Sequence, residues 1–410
     1  MFDPRHRPLP TAPATTALLV ALVAVGPFSL DTYLAAMPSI GAALAATDAE
    51  VQATLTAFIF GFALAQLLIG PLSDRFGRRP VLLASLGIFV VASLGCALAW
   101  SVEALVALRL FQAIFASAGP VLGRAMARDI HGPEGSARVL AHMGAAITIA
   151  PMIAPLLGGW VVGLFGWRAV FVVLALYGVL LVAAVWWRLP ETLAQPDVDA
   201  LNPRQLWLNA GRLLQHRGFL GYTLILSFGF AGMFAYVSSA PFILMAQLGL
   251  GPSAFGVVFV IPVFGFLLGT LSAGRLTGRW PRPRLIGVGV VVTVASAALL
   301  ALLTWVVRPS VAGTVLPMML YTFGMGLVMP HAMSGALAPF PRMTGAASAV
   351  LGFIQMGSAA MLGTVLGMSN GLSSHGLTLA LAAMTAANAG IFLVVIDGRL
   401  WQWRVADGHA

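Results

Sequence analysis

The sequence predicts an all-α integral membrane protein with twelve transmembrane helices in two pseudo-symmetric six-helix bundles. Of its 410 residues, 60% are hydrophobic and 9% are charged, whereas a soluble domain is about 45–50% apolar and about one quarter charged. The apolar residues fall into twelve runs, each long enough to cross a hydrocarbon core about 30 Å thick. A polar segment at 189–217 divides these runs six and six, which predicts two bundles.

The runs set the expected domain organisation. The first six cover residues 14–37, 51–70, 80–99, 102–123, 139–162 and 167–188. The second six cover residues 218–243, 253–275, 284–307, 311–331, 343–368 and 375–396. We expect a cytoplasmic tail at 1–13, bundles at 14–188 and 218–397, a cytoplasmic linker at 189–217 and a cytoplasmic tail at 398–410. Within the linker, residues 205–214 are predicted to form a surface helix near the inner leaflet.

The arginines predict the orientation in the membrane. All 22 basic residues are arginine. If the N-terminus is cytoplasmic, every arginine except Arg109, Arg168 and Arg308 falls in a cytoplasmic loop, tail or linker. Cytoplasmic loops carry such an excess, so both termini are predicted inside. The net charge of +9 then reflects topology, and nucleic acid is not expected as a partner.

The segment Gly70–Pro80 is the densest charge cluster and lies between the second and third runs. Its glycines and its position predict a short, tight crossing between two membrane helices. A weaker copy, Gly269–Arg279, follows about 200 residues later at the end of the second run of its half. Duplicated halves around a central site are a common transporter architecture. The copy lacks the aspartate, so the two halves differ chemically.

Three segments carry a resemblance to the major facilitator superfamily. Gly70-x-Leu72-x-Asp74-Arg75-x-Gly77-Arg78-Arg79 resembles its loop 2–3 signature. Leu108-Arg109-Leu110-Phe111-Gln112 resembles the fourth-helix motif of its drug:proton antiporters, and Ala154-Pro155-Leu156-Leu157-Gly158-Gly159 resembles their fifth-helix motif. The resemblance implies a gate that latches the halves in the outward-open state. Its residues would be Gly70, Asp74, Arg75, Gly77, Arg78, Asp129, Pro155, Gly158 and Gly159. Asp74 is expected near the start of the eleventh helix at Thr344–Gly345, and Arg75 and Arg78 are candidates to pair with Asp129.

A narrower resemblance covers most of the chain. Leu30-Asp31-Thr32-Tyr33-Leu34 and Tyr236-x-Ser238-Ser239-Ala240-Pro241-Phe242 are similar to segments of the Bcr/CflA group of bicyclomycin and chloramphenicol exporters. This resemblance implies export of amphipathic antibiotics from a bacterium, across its inner membrane, in exchange for protons. A related exporter has a second acid in its first helix, whereas residues 22–28 of this chain have none.

Asp31 and Arg109 are the candidate proton-coupling residues. Both lie inside apolar runs, where an ionisable side chain is costly and marks a functional hypothesis. Both are about 10 Å from the same predicted boundary at 1.5 Å per residue, so they are able to approach one another or water. The hypothesis is that Asp31 exchanges the proton and that Arg109 adjusts how readily Asp31 is protonated. A fixed ion pair, or a structural role for Asp31 at a helix end kinked by Pro27 and Pro38, stays open.

The predicted drug contacts come from both halves. The second half has no Asp, Glu or Arg inside its runs away from their ends, so it is expected to contribute shape and apolar contact. Methionine and aromatic side chains adapt to varied ligands, although each of these residues also suits plain packing. The candidate contacts are Tyr33, Gln112, Ala116, Tyr236, Ser239, Met329 and Gln355.

Several function classes lack support in the sequence. No phosphate-binding loop, metal-ligand cluster or nucleophile–base set is visible, and Cys96 is the only cysteine. We therefore expect no cofactor, no metal and no enzymatic activity. The expected partners are a small-molecule drug, protons and the lipid bilayer, with the protein as a monomer. The alternative is an exporter or importer of an endogenous metabolite with the same fold.

Overall fold

The computed structural model describes residues 13–198, 200–369 and 371–397. In this part of the chain, twelve helices are long and apolar enough to cross a membrane, which confirms the predicted fold class. The helices of the first half are α1 (Pro13–Leu34), α2 (Met37–Leu44), α3 (Asp48–Phe76), α4 (Arg78–Ala97), α5 (Val102–Ala116), α6 (Ala118–Phe165) and α7 (Trp167–Arg188). Most of both predicted tails lies outside the described residues.

The second half begins with the linker helix. Its helices are α8 (Pro203–Gln215), α9 (Arg217–Ala240), α10 (Pro252–Leu276), α11 (Arg282–Leu302), α12 (Val311–Leu337), α13 (Thr344–Met368) and α14 (Ser374–Ile391). Wider π-helical turns extend three of them, at Pro241–Gln247, Leu303–Val307 and Phe392–Asp397. Helix α8 is the predicted surface helix, and an Asn202 side chain caps its first turn.

The crossing between α3 and α4 is tighter than the sequence predicts. Helix α3 starts at a capping box in which Thr47 and Glu50 satisfy one another's backbone N–H groups. It continues through Pro71 to Phe76, so most of the Gly70–Pro80 segment is helical. Gly77 alone separates α3 from α4, with φ of 100°. Only glycine adopts this region readily, and this is why one residue suffices for the reversal.

Helix α6 contains the end of one membrane span and the whole of the next. Helix α5 and the first part of α6 together form the span Val102–Gly132, and the second part of α6 forms the span Arg138–Phe165. Gly132 stands between them with φ of 67°, so the chain reverses there without leaving helical geometry for more than one residue.

The two bundles meet mainly along two helix pairs, α3 with α13 and α6 with α10, with a smaller contact between α2 and Pro241–Gln247. We call the end of the molecule that carries Pro13, the α3–α4 crossing and α8 the linker end, and the opposite end the far end. At the far end, Gly159 and Gly163 of α6 lie against Pro252 and Ser253 of α10. On the linker side, Gly70, Gly144, Gly274 and Gly345 have no neighbouring atoms in the position that a Cβ would occupy. The bundles are therefore in close contact at the far end, whereas these four linker-side glycines make no such contact.

Candidate functional site

Asp31 lies in the membrane-spanning part of α1 and is 5% exposed. Its carboxylate has no hydrogen-bond or ion-pair partner among the described residues. At 100° per residue, Asp31 shares a face of α1 with Ala24 and Phe28, which line a cavity. The acid therefore lies one helical turn beyond the deep end of that cavity.

Arg109 is fully buried on α5 and contacts the opposite side of α1. Its Nη1 donates to the carbonyl oxygen of Ser29 at 3.2 Å and to Gln112 Oε1 at 2.7 Å. Its guanidinium carbon lies 4.4 Å from the centre of the Tyr33 ring and 4.1 Å from that of Phe58. These rings stabilise the cation in the absence of a carboxylate.

The structure therefore does not bring Asp31 and Arg109 into an ion pair. Ser29 and Asp31 are two residues apart, about 200° around the helix, so their side chains leave α1 in nearly opposite directions. Arg109 Nε and Nη2 are buried without a partner among the described residues. The fixed ion pair is not formed in this conformation, and any influence of Arg109 on Asp31 acts across α1.

Three predicted drug contacts of the first half lie inside the bundle. Gln112 donates to Ser93 Oγ at 2.7 Å and accepts from Arg109, so both ends of its amide are engaged. The Tyr33 hydroxyl is hydrogen-bonded to Thr54. Ala116 is fully buried. Their roles as drug contacts stay predictions, because none reaches the cavity in this conformation.

Replacing Arg109 by lysine is expected to lower drug-driven proton flux at least tenfold. A lysine ammonium is a compact point charge that does not reproduce the planar contacts between Tyr33 and Phe58. The measurement is proton release in everted vesicles at equal amounts of monodisperse protein. Arg168→Lys is the matched control, because Arg168 also stacks on an aromatic ring and donates to a carbonyl but is exposed. Parental flux in Arg109→Lys would contradict the tuning role.

The cavity between α1 and α6 has a volume of about 1120 Å³, and its lining runs from Pro13 and His131 at the linker end to Phe28 and Ile153. Its walls are mainly alanine, valine, isoleucine and phenylalanine side chains. Its charged or titratable lining residues are His131, Arg138 and His142, all from the linker-end part of α6. The chamber suits an apolar body, and none of the lining residues whose side chains the structure describes is acidic.

The second half contributes unpartnered hydroxyls at the core. Tyr236 and Ser239, one turn apart on α9, are at most 1% exposed, and the hydroxyl oxygen of each has no partner in the described part of the chain. Buried polar groups are normally satisfied, so these two are available to a ligand or water. The Tyr236 ring stacks on Phe259 of α10. Met329 and Gln355 are half-buried.

The predicted gate residues form a charged cluster at the linker end. Arg78 pairs with Asp74 and donates through Nε to Asp129 Oδ2 at 3.2 Å. It also donates to Ser73 Oγ at 2.6 Å. Arg75 instead lies over the Phe76 ring, 5.4 Å from its centre. The cluster thus ties α3, α4 and the first part of α6 together, and the expected contact of Asp74 with the start of α13 is not formed in this conformation.

Glu191 completes this cluster and was missed by sequence reasoning. Its carboxylate accepts from the backbone N–H groups of Arg78 at 3.0 Å and Arg79 at 3.1 Å, so it caps the N-terminus of α4. A negative charge is favourable there because of the helix dipole. Next to it, Thr192 donates to Asp129 at 3.0 Å. The only signal in the sequence was an acid just after the sixth run.

Replacing Glu191 by alanine is expected to reduce transport several-fold, with a smaller loss for Glu191→Gln. The alanine leaves two helix N–H groups without their cap, whereas the glutamine amide oxygen still accepts hydrogen bonds but lacks the charge. Efflux rates at equal membrane expression provide the measurement. Glu103→Gln, at an exposed helix start at the far end, is the control. Equal rates for all variants would show that the cap does not affect the gate.

Glycines set the packing at the far end. A Cβ at Gly158 would overlap the carbonyl oxygen of Thr32 in α1, within the first bundle. A Cβ at Gly159 would overlap the carbonyl oxygen of Pro252, and one at Gly256 would overlap that of Pro155. The last two contacts cross between the bundles, so they hold the far end closed.

Fold and site together define a class of protein. Twelve spans in two bundles, a large apolar cavity and a buried unpaired acid beside it are typical of secondary transporters. The Major Facilitator Superfamily model matches residues 18–364. The chain belongs to this superfamily, and it is a multi-pass membrane protein.

Two named relatives show which group within the superfamily the chain resembles. The chain is 36% identical to the chloramphenicol resistance protein of Pseudomonas aeruginosa, over 85% of this chain and 83% of the relative. It is 31% identical to multidrug resistance protein D of Escherichia coli (strain K12), over 90% and 92%. These relatives confirm the predicted resemblance to the Bcr/CflA drug:proton antiporters. A crystal structure of a D-xylose–proton symporter superposes with a TM-score of 0.73 at 16% identity, over 93% of this chain and 97% of that one, which shows a shared fold.

Proposed function

We propose that the protein exports amphipathic drugs in exchange for protons by alternating access. The observation that carries this proposal is the unpaired carboxylate of Asp31 beside the cavity. An isolated charge is costly in a low-dielectric interior, so the charge on Asp31 depends on its access to water or to a ligand. A group of this kind is suited to exchanging a proton as the cavity changes sides.

The arginine distribution supports a cytoplasmic linker end. In that orientation both termini lie in the cytoplasm of a bacterial cell, and the Pro13 end of the cavity lies on the cytoplasmic side. Drug would then enter from the cytoplasm or the inner leaflet, and a proton would enter from outside in the opposite state. Each 100 mV of membrane potential supplies about 2.3 kcal/mol per charge, which corresponds to roughly a fiftyfold concentration gradient.

The chemistry of the cavity supports neutral amphipathic substrates. Apolar walls bind the body of the molecule. Tyr236 and Ser239 do not line this cavity in the present conformation, so their unpartnered hydroxyls are proposed to contact the drug in another state of the cycle. The names of the relatives, chloramphenicol resistance protein and multidrug resistance protein D, agree with this class. Protons and drug are the proposed partners, with the protein acting as a monomer within the lipid bilayer, without a cofactor and without enzymatic activity.

The test is an efflux screen in a deletion strain with and without the restored gene. Chloramphenicol and related amphenicols, bicyclomycin, sulfonamides and cationic dyes cover the neutral, acidic and cationic classes. Drug hypersensitivity of the deletion strain, reversed by the gene, is the expected result. A nutritional phenotype with unchanged drug sensitivity would contradict drug export and favour an endogenous metabolite.

A further inference from the structure

Helix α8 presents an apolar surface that its own bundle does not cover. Leu213 is fully buried against α9 and its neighbours. Trp207 is 79% exposed, and Leu208 and Leu214 are 48% and 45% exposed. On a helix with 3.6 residues per turn, Trp207 and Leu214 lie on one stripe, two turns apart. The helix is therefore amphipathic, with one anchored edge and one open apolar stripe.

The position of α8 places that stripe at the membrane boundary. Only His216 separates α8 from α9, which begins at Arg217 and is a membrane span. The His216 ring also packs against Phe340 at a centroid distance of 5.1 Å, so the helix is fixed to the linker end of the second bundle. At the same end, Trp186 and Trp187 of α7 are 62% and 82% exposed. Exposed tryptophans mark the membrane–water interface, and α8 continues this belt.

The charges of α8 are all of one sign. The segment Pro203–Gln215 contains Arg204 and Arg212 and no acid, and Arg217 follows directly. All three arginine side chains are exposed, and none pairs with an acid among the described residues. A helix with tryptophan and leucine on one face and arginine beside it is typical of elements that lie in the lipid headgroup region.

We propose that α8 is a lipid-binding element that lies flat in the headgroup region and binds anionic phospholipids. Trp207 and Leu214 enter the acyl boundary, and Arg204, Arg212 and Arg217 contact the lipid phosphates. A polybasic segment is attracted to an anionic leaflet, and the apolar stripe adds burial that soluble anions do not provide. The proposal concerns the lipid surface and does not depend on which compound is transported.

Site-directed spin labelling of the full-length protein in liposomes tests the proposal. Cys96 is the one native cysteine and is buried, so a Cys96→Ser background accepts single labels at Trp207→Cys, Leu214→Cys or, in the linker before α8, Gln195→Cys. These side chains are exposed, and their replacement leaves the core packing unchanged. We expect the ratio of oxygen to nickel-reagent collisions to be at least threefold higher at 207 and 214 than at 195. Equal ratios at all three positions would overturn the proposal and would indicate an aqueous face suited to a soluble partner.

Lipid composition tests the headgroup preference separately. Labels at 207 and 214 are expected to lie deeper in phosphatidylglycerol liposomes than in phosphatidylcholine liposomes. Arg204→Gln with Arg212→Gln should reduce this difference by at least half. Arg275→Gln with Arg279→Gln removes the same charge from exposed positions at the end of α10 and in the loop that follows it and should leave the difference unchanged. Equal depth in both lipids, or equal effects of the two double variants, would overturn the selectivity for anionic lipids.

Discussion

Replacing Asp31 by asparagine is expected to abolish drug-driven proton release, with a loss greater than tenfold, while the protein stays folded. The Asp31 carboxylate has no partner among the described residues, so the isosteric amide breaks no native hydrogen bond. Burying a neutral amide also costs less than burying an unpaired charge. The substitution therefore removes the site of proton exchange and little else. Everted vesicles with a pH-sensitive dye measure the release when drug is added.

Measurements of drug binding distinguish a loss of proton coupling from a loss of the folded drug site. If drug and proton compete at Asp31, lowering the pH should weaken drug binding to the parent protein and leave binding to Asp31→Asn unchanged. Asp48→Asn is the matched control, because Asp48 is an exposed acid in the first turn of α3. Its proton release and its pH dependence should equal those of the parent. Parental proton release by Asp31→Asn would contradict the assignment of Asp31.

Replacing Gly159 by alanine is expected to shift the protein away from the far-end-closed conformation by roughly 5- to 150-fold. The added Cβ would overlap the Pro252 carbonyl oxygen across the two bundles, and overpacking of this kind costs about 1–3 kcal/mol. The opposite conformation separates α6 from α10 there and escapes the cost. Transport should fall because the transport cycle requires the far-end-closed conformation, which the variant populates less.

Distances between spin labels on the two bundles measure this shift. Helix α2 contacts the segment Pro241–Gln247 across the far end, so labels at Ala43→Cys and Ala246→Cys, in a Cys96→Ser background, report its opening. Gly159→Ala should populate a longer distance. Gly144→Ala, on the same helix with no neighbouring atom, should not.

Gly158→Ala tests the specificity of the Gly159 effect. Its Cβ would overlap the Thr32 carbonyl oxygen inside the first bundle. This variant should therefore lower the thermal unfolding temperature more than it changes the label distance. Identical behaviour of Gly158→Ala and Gly159→Ala would show that these glycines affect general stability, and that the contact between bundles is not a gate.

Hydropathy and charge determined the twelve spans and singled out Asp31, Arg109 and the Gly70–Pro80 charge cluster, whereas the gate role came from the family resemblance. Spans of about twenty apolar residues are a requirement of the bilayer thickness, and a charge within them is costly enough to stand out. For this reason Asp31, Arg109 and the Arg78 cluster were recognisable before any packing was known. Hydropathy did not determine the helix ends: α3 extends six residues beyond the predicted run because Gly77 reverses the chain alone.

Only the tertiary structure decided which faces meet. Asp31 and Arg109 have similar predicted depths, but the side on which α5 packs against α1 gives Arg109 the Ser29 carbonyl and leaves Asp31 unpaired. Glu191 reaches the start of α4 from 113 residues away, and no local pattern encodes such a contact. The sequence by itself determined a twelve-span membrane protein and its few interior charges, because burial in lipid constrains composition, and its motifs indicated a transporter by their resemblance to a known family. The pairing of those charges and the position of the cavity depend on how helices distant in sequence pack together.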